Sequence, residues 1–126
     1  MGSRVLIVED DALLVKAYDA KMTKSGLTIK TVSDGDEALE ALKSFQPDVV
    51  LLDLIMPKKD GFAFLQEIKR IPAYQRIPII VASNLGQKSD IDKVRDLGVV
   101  DYIVKSEMSL DQLVERIKAV LDRQGT

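Results

Sequence analysis

The chain has 126 residues, 46% of them apolar, and a formal net charge of −2, which suits one globular domain with a core that needs no covalent staple. That charge supplies no basic field for nucleic acid or an anionic membrane surface, no apolar run reaches the length of a membrane span, and the expected setting is cytoplasmic. The chain contains neither cysteine nor histidine, which excludes disulfides, thiol chemistry, the commonest general base and the commonest transition-metal ligand.

In chain order, Val5-Leu6-Ile7-Val8 reads as a buried strand ending in Glu9-Asp10-Asp11. A helical pattern through Leu14, Ala17, Tyr18 and Met22 follows, stopped near Ser25-Gly26 by a glycine suited to the left-handed cap. Thr28 to Val32 alternates weakly and carries Lys30, which suits an edge strand. Ser33-Asp34-Gly35-Asp36 resembles a capping box. It predicts a helix with Ala38, Leu39, Leu42 and Phe45 inward, ended by Pro47.

Val49-Val50-Leu51-Leu52 is a continuous apolar run, as expected of a strand covered on both faces. It leads directly into Asp53, then a Met56-Pro57 break, Lys58-Lys59 and an Asp60-Gly61 helix start. The third helix carries Phe62, Leu65 and Ile68 at helical spacing and breaks at Pro72. Ile77 to Ser83 is a fourth strand with Pro78 tolerable at its entry. Ile91, Val94 and Leu97 mark a fourth helix closed by Gly98, and Val99 to Val104 a fifth strand ending at Lys105. Ser109 with Gln112 forms a second capping box. It opens a last helix striped by Leu110, Leu113, Val114, Ile117, Val120 and Leu121.

Strands and helices therefore alternate five times with no interval short enough to be a hairpin. The predicted fold class is α/β: a doubly wound, flavodoxin-like, five-stranded parallel sheet in the order 2-1-3-4-5 with helices on both faces. In that order Glu9, Asp10, Asp53, Ser83 and Lys105 all fall at carboxyl ends of strands, around the crevice where such sheets bind ligands. Three neighbouring carboxylates repel unless they bind a cation. With oxygen ligands only, that cation is most simply Mg²⁺. The metal and Lys105 would neutralise an incoming phosphoryl group, and Ser83 would donate to one of its oxygens. Aspartate carboxylates form acyl phosphates. Each residue alone has an ordinary explanation: a helix-dipole partner, a solvated lysine, a polar loop group. Their joint placement carries the reading.

Val8-Glu9-Asp10-Asp11, Asp53-Leu54-Ile55-Met56-Pro57, Asp60-Gly61, the Pro78-to-Ser83 strand and Asp101-Tyr102-Ile103-Val104-Lys105 form a highly specific set. With them the chain resembles the receiver domain of two-component response regulators, of the single-domain chemotaxis type, from Arg4 to about Leu121. The resemblance implies that Asp53 is the phosphoacceptor, served in trans by a histidine kinase or phosphotransfer protein. It implies that Asp10 ligates Mg²⁺ directly and Glu9 through water, with Asp53 and the backbone carbonyl of Ile55 completing the protein's share. Lys105 would contact the phosphoryl group, Ser83 would swing toward it, and Tyr102 would then rotate inward. The output expected is an unidentified protein bound on the face made by the fourth helix, fifth strand and fifth helix, without direct nucleic-acid or membrane contact.

Ser106 stands where the family usually has a proline, often in a cis bond, which predicts an altered loop. Asn84 replaces a commonly small residue and is expected to narrow access. Ile55 and Leu85, both apolar, are expected to hinder the attacking water and prolong the phosphoryl state. Val100, Glu115 and Asp122 depart from the charges that build the symmetric dimer of the winged-helix subgroup. The expectation is one receiver domain over residues 1–126, monomeric or dimerising on phosphorylation. Three other readings compete. An aspartyl phosphohydrolase of the haloacid-dehalogenase type would carry a second aspartate where Ile55 stands. A flavodoxin-like cofactor carrier would need phosphate-binding donors where Glu9-Asp10-Asp11 would repel. A pseudo-receiver would keep the fold only for protein binding.

Overall fold

The computed structural model describes residues 2–55, 60–85 and 87–124. Met56-Pro57 and Lys58-Lys59 lie outside the described residues. Five strands, β1 (Arg4–Val8), β2 (Thr28–Val32), β3 (Val49–Leu52), β4 (Ile79–Ser83) and β5 (Asp101–Val104), form one parallel sheet in the order β2-β1-β3-β4-β5. The helices are α1 (Ala12–Lys24), α2 (Gly35–Ala41), α3 (Gly61–Lys69), α4 (Lys88–Asp96) and α5 (Leu110–Gln124).

Alternation along the buried strands sends side chains to two faces. Leu6, Val8, Val50, Leu52, Ile79 and Val81 join Ala38, Phe64, Leu65, Ile68 and Val94 in one core, under α2, α3 and α4. Val5, Ile7, Val49, Leu51, Ile80 and Ala82 join Tyr18, Met22, Leu113, Ile117 and Val120 in the other, under α1 and α5. The three central strands are thus covered on both sides, which is why their sequences run apolar without a break. Each side chain wholly withdrawn from water contributes about 1.5–3 kcal/mol.

Local chemistry sets the helix ends. Asp11 accepts from the amides of Leu13 and Leu14, Asp34 from Glu37 N at 2.9 Å, and Asp60 from Ala63 N at 2.9 Å. Ser109 and Gln112 exchange hydrogen bonds at 2.9 and 3.2 Å, the reciprocal box expected from their spacing. Gly26 and Gly98 take φ of 88° and 85°, ending α1 and α4 in the left-handed region where a Cβ is penalised.

Three boundaries differ from the sequence expectation. Helix α2 ends at Ala41 and does not reach Phe45, because Lys43 N and Ser44 N bond three residues back and tighten the chain out of the α form. Phe45 still packs against the core. Strand β4 begins at Ile79 and β5 at Asp101, each two residues later than the apolar runs suggested. Apolar flanks continue the pattern beyond the paired ladder. Phe64, not Phe62, is the fully buried aromatic of α3; Phe62 is half-buried, with the Lys93 ammonium 4.5 Å from its ring centroid.

Candidate functional site

The site forms where β1 and β3 run side by side, Val8 opposite Leu52. Beyond that pair, Asp53 N donates to Val8 O at 3.0 Å and Glu9 N to Val32 O at 3.0 Å, so both backbones are held by neighbouring strands. The two side chains are nearly enclosed, Glu9 at 3% and Asp53 at 7% exposure, whereas Asp10 is exposed. One carboxylate oxygen from each of the three lies within 4.8 Å of the others. Asp11, beside them, is occupied otherwise, as the cap of α1.

Lys105 enters from the end of β5. Its ammonium hydrogen-bonds Glu9 Oε1 and lies 3.3 Å from Asp53 Oδ2. The second Glu9 oxygen accepts from Asp11 N at 3.1 Å. Burial pushes the Glu9 carboxyl up from its ordinary value; the Lys105 bond draws it down, and the Asp53 charge adds to the rise. Three carboxylates against one ammonium leave negative charge uncompensated. Oxygens at this mutual spacing fit a small hard cation that keeps several waters. The donor set and its geometry therefore suit Mg²⁺.

Ser83 closes the opposite wall. It is wholly buried, and its Oγ accepts from Leu85 N at 3.3 Å. Tyr102 is 8% exposed and its hydroxyl donates to the Leu85 carbonyl. Tyr102 is thereby tied to the chain that follows β4. Burial raises the Tyr102 pKa, so it stays a protonated donor. Glu9, Asp10, Asp53, Ile55, Ser83, Asn84 and Lys105 all line one open cleft of about 370 Å³. Ile55 is 59% exposed at its mouth, Asn84 is exposed and Leu85 half-buried. Lys105-Ser106-Glu107 forms a single 3₁₀ turn, and no peptide bond among the described residues is cis.

Every site residue inferred from the sequence is near this cleft, with Tyr102 and Leu85 behind it. Two others were not singled out for the site. Gly61 donates its amide to Leu54 O at 3.0 Å, and a Cβ there would stand 2.5 Å from the Asp53 carbonyl oxygen. An Asp-Gly helix start carries no signal of that approach, because it depends on where the chain folds back. Tyr18, read as a core residue, comes close enough to Glu9 and Asp53 for their charges to raise its pKa, after the larger effect of its own burial. On the face made by α4, β5 and α5, Arg116 pairs with Asp101, and Val100 is 43% exposed.

Fold and cleft together define a flavodoxin-like α/β protein with an acidic, metal-competent site at the strand ends. The family model of the response regulator receiver domain matches residues 5–118. A probable transcriptional regulator of Guillardia theta is 41% identical over 95% of this chain, which spans 46% of that protein. A gliding motility regulatory protein of Myxococcus xanthus is 35% identical over 90% of the chain and 15% of its own length. Among solved structures, a phosphorylated cyanobacterial phytochrome response regulator superposes with a TM-score of 0.82 at 34% identity, covering 95% of this chain and 91% of that one. The chain belongs to the response regulator receiver family of two-component signalling. It spans about half the length, or less, of the curated relatives it matches. Among the described residues, no helix is long and apolar enough to cross a membrane.

Proposed function

We propose that the chain is a phosphoryl-accepting switch, a single receiver unit over residues 1–126 that takes the group onto Asp53 from a phosphohistidine in trans. One observation supports this most: Asp53 lies 7% exposed at a strand end, with two further carboxylates in ligand range and a lysine ammonium 3.3 Å away. An Asp53 carboxylate oxygen forms the new O–P bond while the donor's P–N bond breaks, and the leaving imidazole takes up a proton. Asp10, Asp53 and the Ile55 carbonyl, with Glu9 through water, would hold Mg²⁺, whose charge offsets that of the phosphoryl oxygens when it is bound.

The chain's own groups do the rest. Lys105 exchanges its bond to Glu9 for one to a phosphoryl oxygen, and Ser83 Oγ donates to another. Moving Ser83 disturbs its bond from Leu85 N, and Leu85 is also the acceptor for Tyr102. The phosphoryl state is thereby linked to the loop before α4 and to the face of α4, β5 and α5, where an output protein would bind. The names of the relatives include transcriptional and motility regulators, and the output here belongs to the same broad class of regulated contact.

In this reading Ile55, which lines the cleft, and Leu85, two residues past Ser83, hinder in-line water and prolong the acyl phosphate. Loading with acetyl phosphate and Mg²⁺, then following acyl phosphate loss, tests the reading. Wild type is expected to hold the group about tenfold longer than Leu85→Glu, a barrier difference near 1.4 kcal/mol. Loss faster in wild type would overturn the shielding role. Steady release of phosphate from a phosphomonoester would instead indicate a hydrolase.

A further inference from the structure

Helix α1 opens beside the acidic cleft, and the way its first amides find acceptors bears on Glu9. Asp11 Oδ1 accepts from Leu13 N at 3.0 Å and Leu14 N at 3.2 Å, and the Asp11 carbonyl accepts from Val15 N at 2.9 Å. A helix start leaves its leading amides without partners inside the helix, and the amide of Asp11 itself is another of them. In α5 the matching amide, that of Ser109, goes to Gln112 three residues on. Leu14 stands at that place in α1 and offers no side-chain oxygen. The Asp11 amide turns instead to Glu9 Oε2, at 3.1 Å.

Glu9 is thereby held at both oxygens, since Lys105 bonds Oε1. The two holds differ in kind. An ammonium on a flexible four-carbon stem can leave for a phosphoryl oxygen, as the proposed function requires. The Asp11 amide is backbone and stays in place as long as α1 starts where it does. It belongs to the peptide joining Asp10 to Asp11, so fixing it also fixes the chain that carries Asp10. Asp11 is exposed and stands outside the cluster of Glu9, Asp10 and Asp53.

We infer that Asp11 is a positioning residue of the metal site: by capping α1 it sets the peptide whose amide orients Glu9 once Lys105 has left. The inference rests on the proposed Mg²⁺ reading of the cleft and adds to it a side chain outside the ligand set.

The test pairs two measurements on the full chain, calorimetric titration with Mg²⁺ and amide exchange at position 11 in metal-free protein. Asp11→Ala removes the cap and is expected to weaken Mg²⁺ about fivefold, the effect of one neutral hydrogen bond. Exchange at position 11, corrected for the neighbouring side chains, should rise about fivefold as well. Asp11→Asn keeps an oxygen that caps equally well and discards the charge, so it should restore both to wild-type values. Ser109→Ala, which uncaps α5, should change neither. Wild-type Mg²⁺ affinity in Asp11→Ala, or unchanged exchange at position 11, would overturn the role alone. Asp11→Asn as weak as Asp11→Ala would assign the effect to charge, and an equal loss in Ser109→Ala would assign it to general stability. Either would also overturn the role. A wild type that binds no Mg²⁺ would overturn the reading of the cleft, and the role with it.

Discussion

Gly61→Ala is expected to lower stability by about 3 kcal/mol, the upper part of the overpacking range, and to slow phosphoryl uptake about 100-fold, the effect of a misplacement near 1 Å. The added Cβ would stand 2.5 Å from the Asp53 carbonyl oxygen and 2.7 Å from Leu54 Cα, both backbone atoms that cannot rotate away. Relief requires moving either the start of α3 or the peptide that carries the acceptor. Gly26→Ala is the control. Nothing lies within 4 Å of its would-be Cβ, but its φ of +88° makes the alanine strained, at about 1–2 kcal/mol. That variant should lose stability and keep the uptake rate of wild type. Urea unfolding and initial rates with acetyl phosphate measure both. A Gly61→Ala protein with normal uptake would show that Asp53 tolerates displacement.

Phe64→Ala separates fold from site on the same helix. Phe64 is wholly buried among Leu6, Leu52, Leu65 and Ile79 in the core beneath α2, α3 and α4. Removing a buried phenyl ring costs about 3–5 kcal/mol through lost transfer energy and the cavity left behind. Against a total of about 5–15 kcal/mol, that is a large fraction, and the urea midpoint should fall steeply with an unchanged slope. The ring does not line the acidic cleft, so the folded fraction should accept phosphoryl groups at the normal rate. A small loss of stability would mean that the core collapses to refill the space.

The fold was legible wherever burial on two faces forces a pattern. Val5–Val8, Val49–Leu52 and the Ile79–Ser83 run could be read as central strands because every residue in them meets a helix layer. Thr28–Val32, weakly alternating and carrying Lys30, was legible as an edge strand for the opposite reason. Reciprocal capping at Ser109 and Gln112 is local chemistry, and local chemistry is what a sequence displays best. The end of α2 was not legible, since its tightened last turn competes with an apolar pattern that runs on to Phe45. The choice between Phe62 and Phe64 depends on how α3 is rotated against the sheet.

The site follows the same division. Glu9, Asp10, Asp53, Ser83 and Lys105 sit at strand ends, so strand order alone brings them to one edge. What the order does not specify is which groups pair across the crevice, here Lys105 with Glu9 and Tyr102 with the Leu85 carbonyl. The Tyr102 bond to that carbonyl depends on rotamer and loop position, which no spacing encodes.

The most direct test of Asp53 as acceptor is intact mass after incubation with Mg²⁺ and acetyl phosphate, beside Asp53→Asn and a chelated control. A gain of one phosphoryl group that requires metal and is absent from Asp53→Asn is the predicted result. No adduct in wild type, together with failure to bind beryllofluoride, would contradict it and make the acidic cleft a protein-binding feature of a pseudo-receiver.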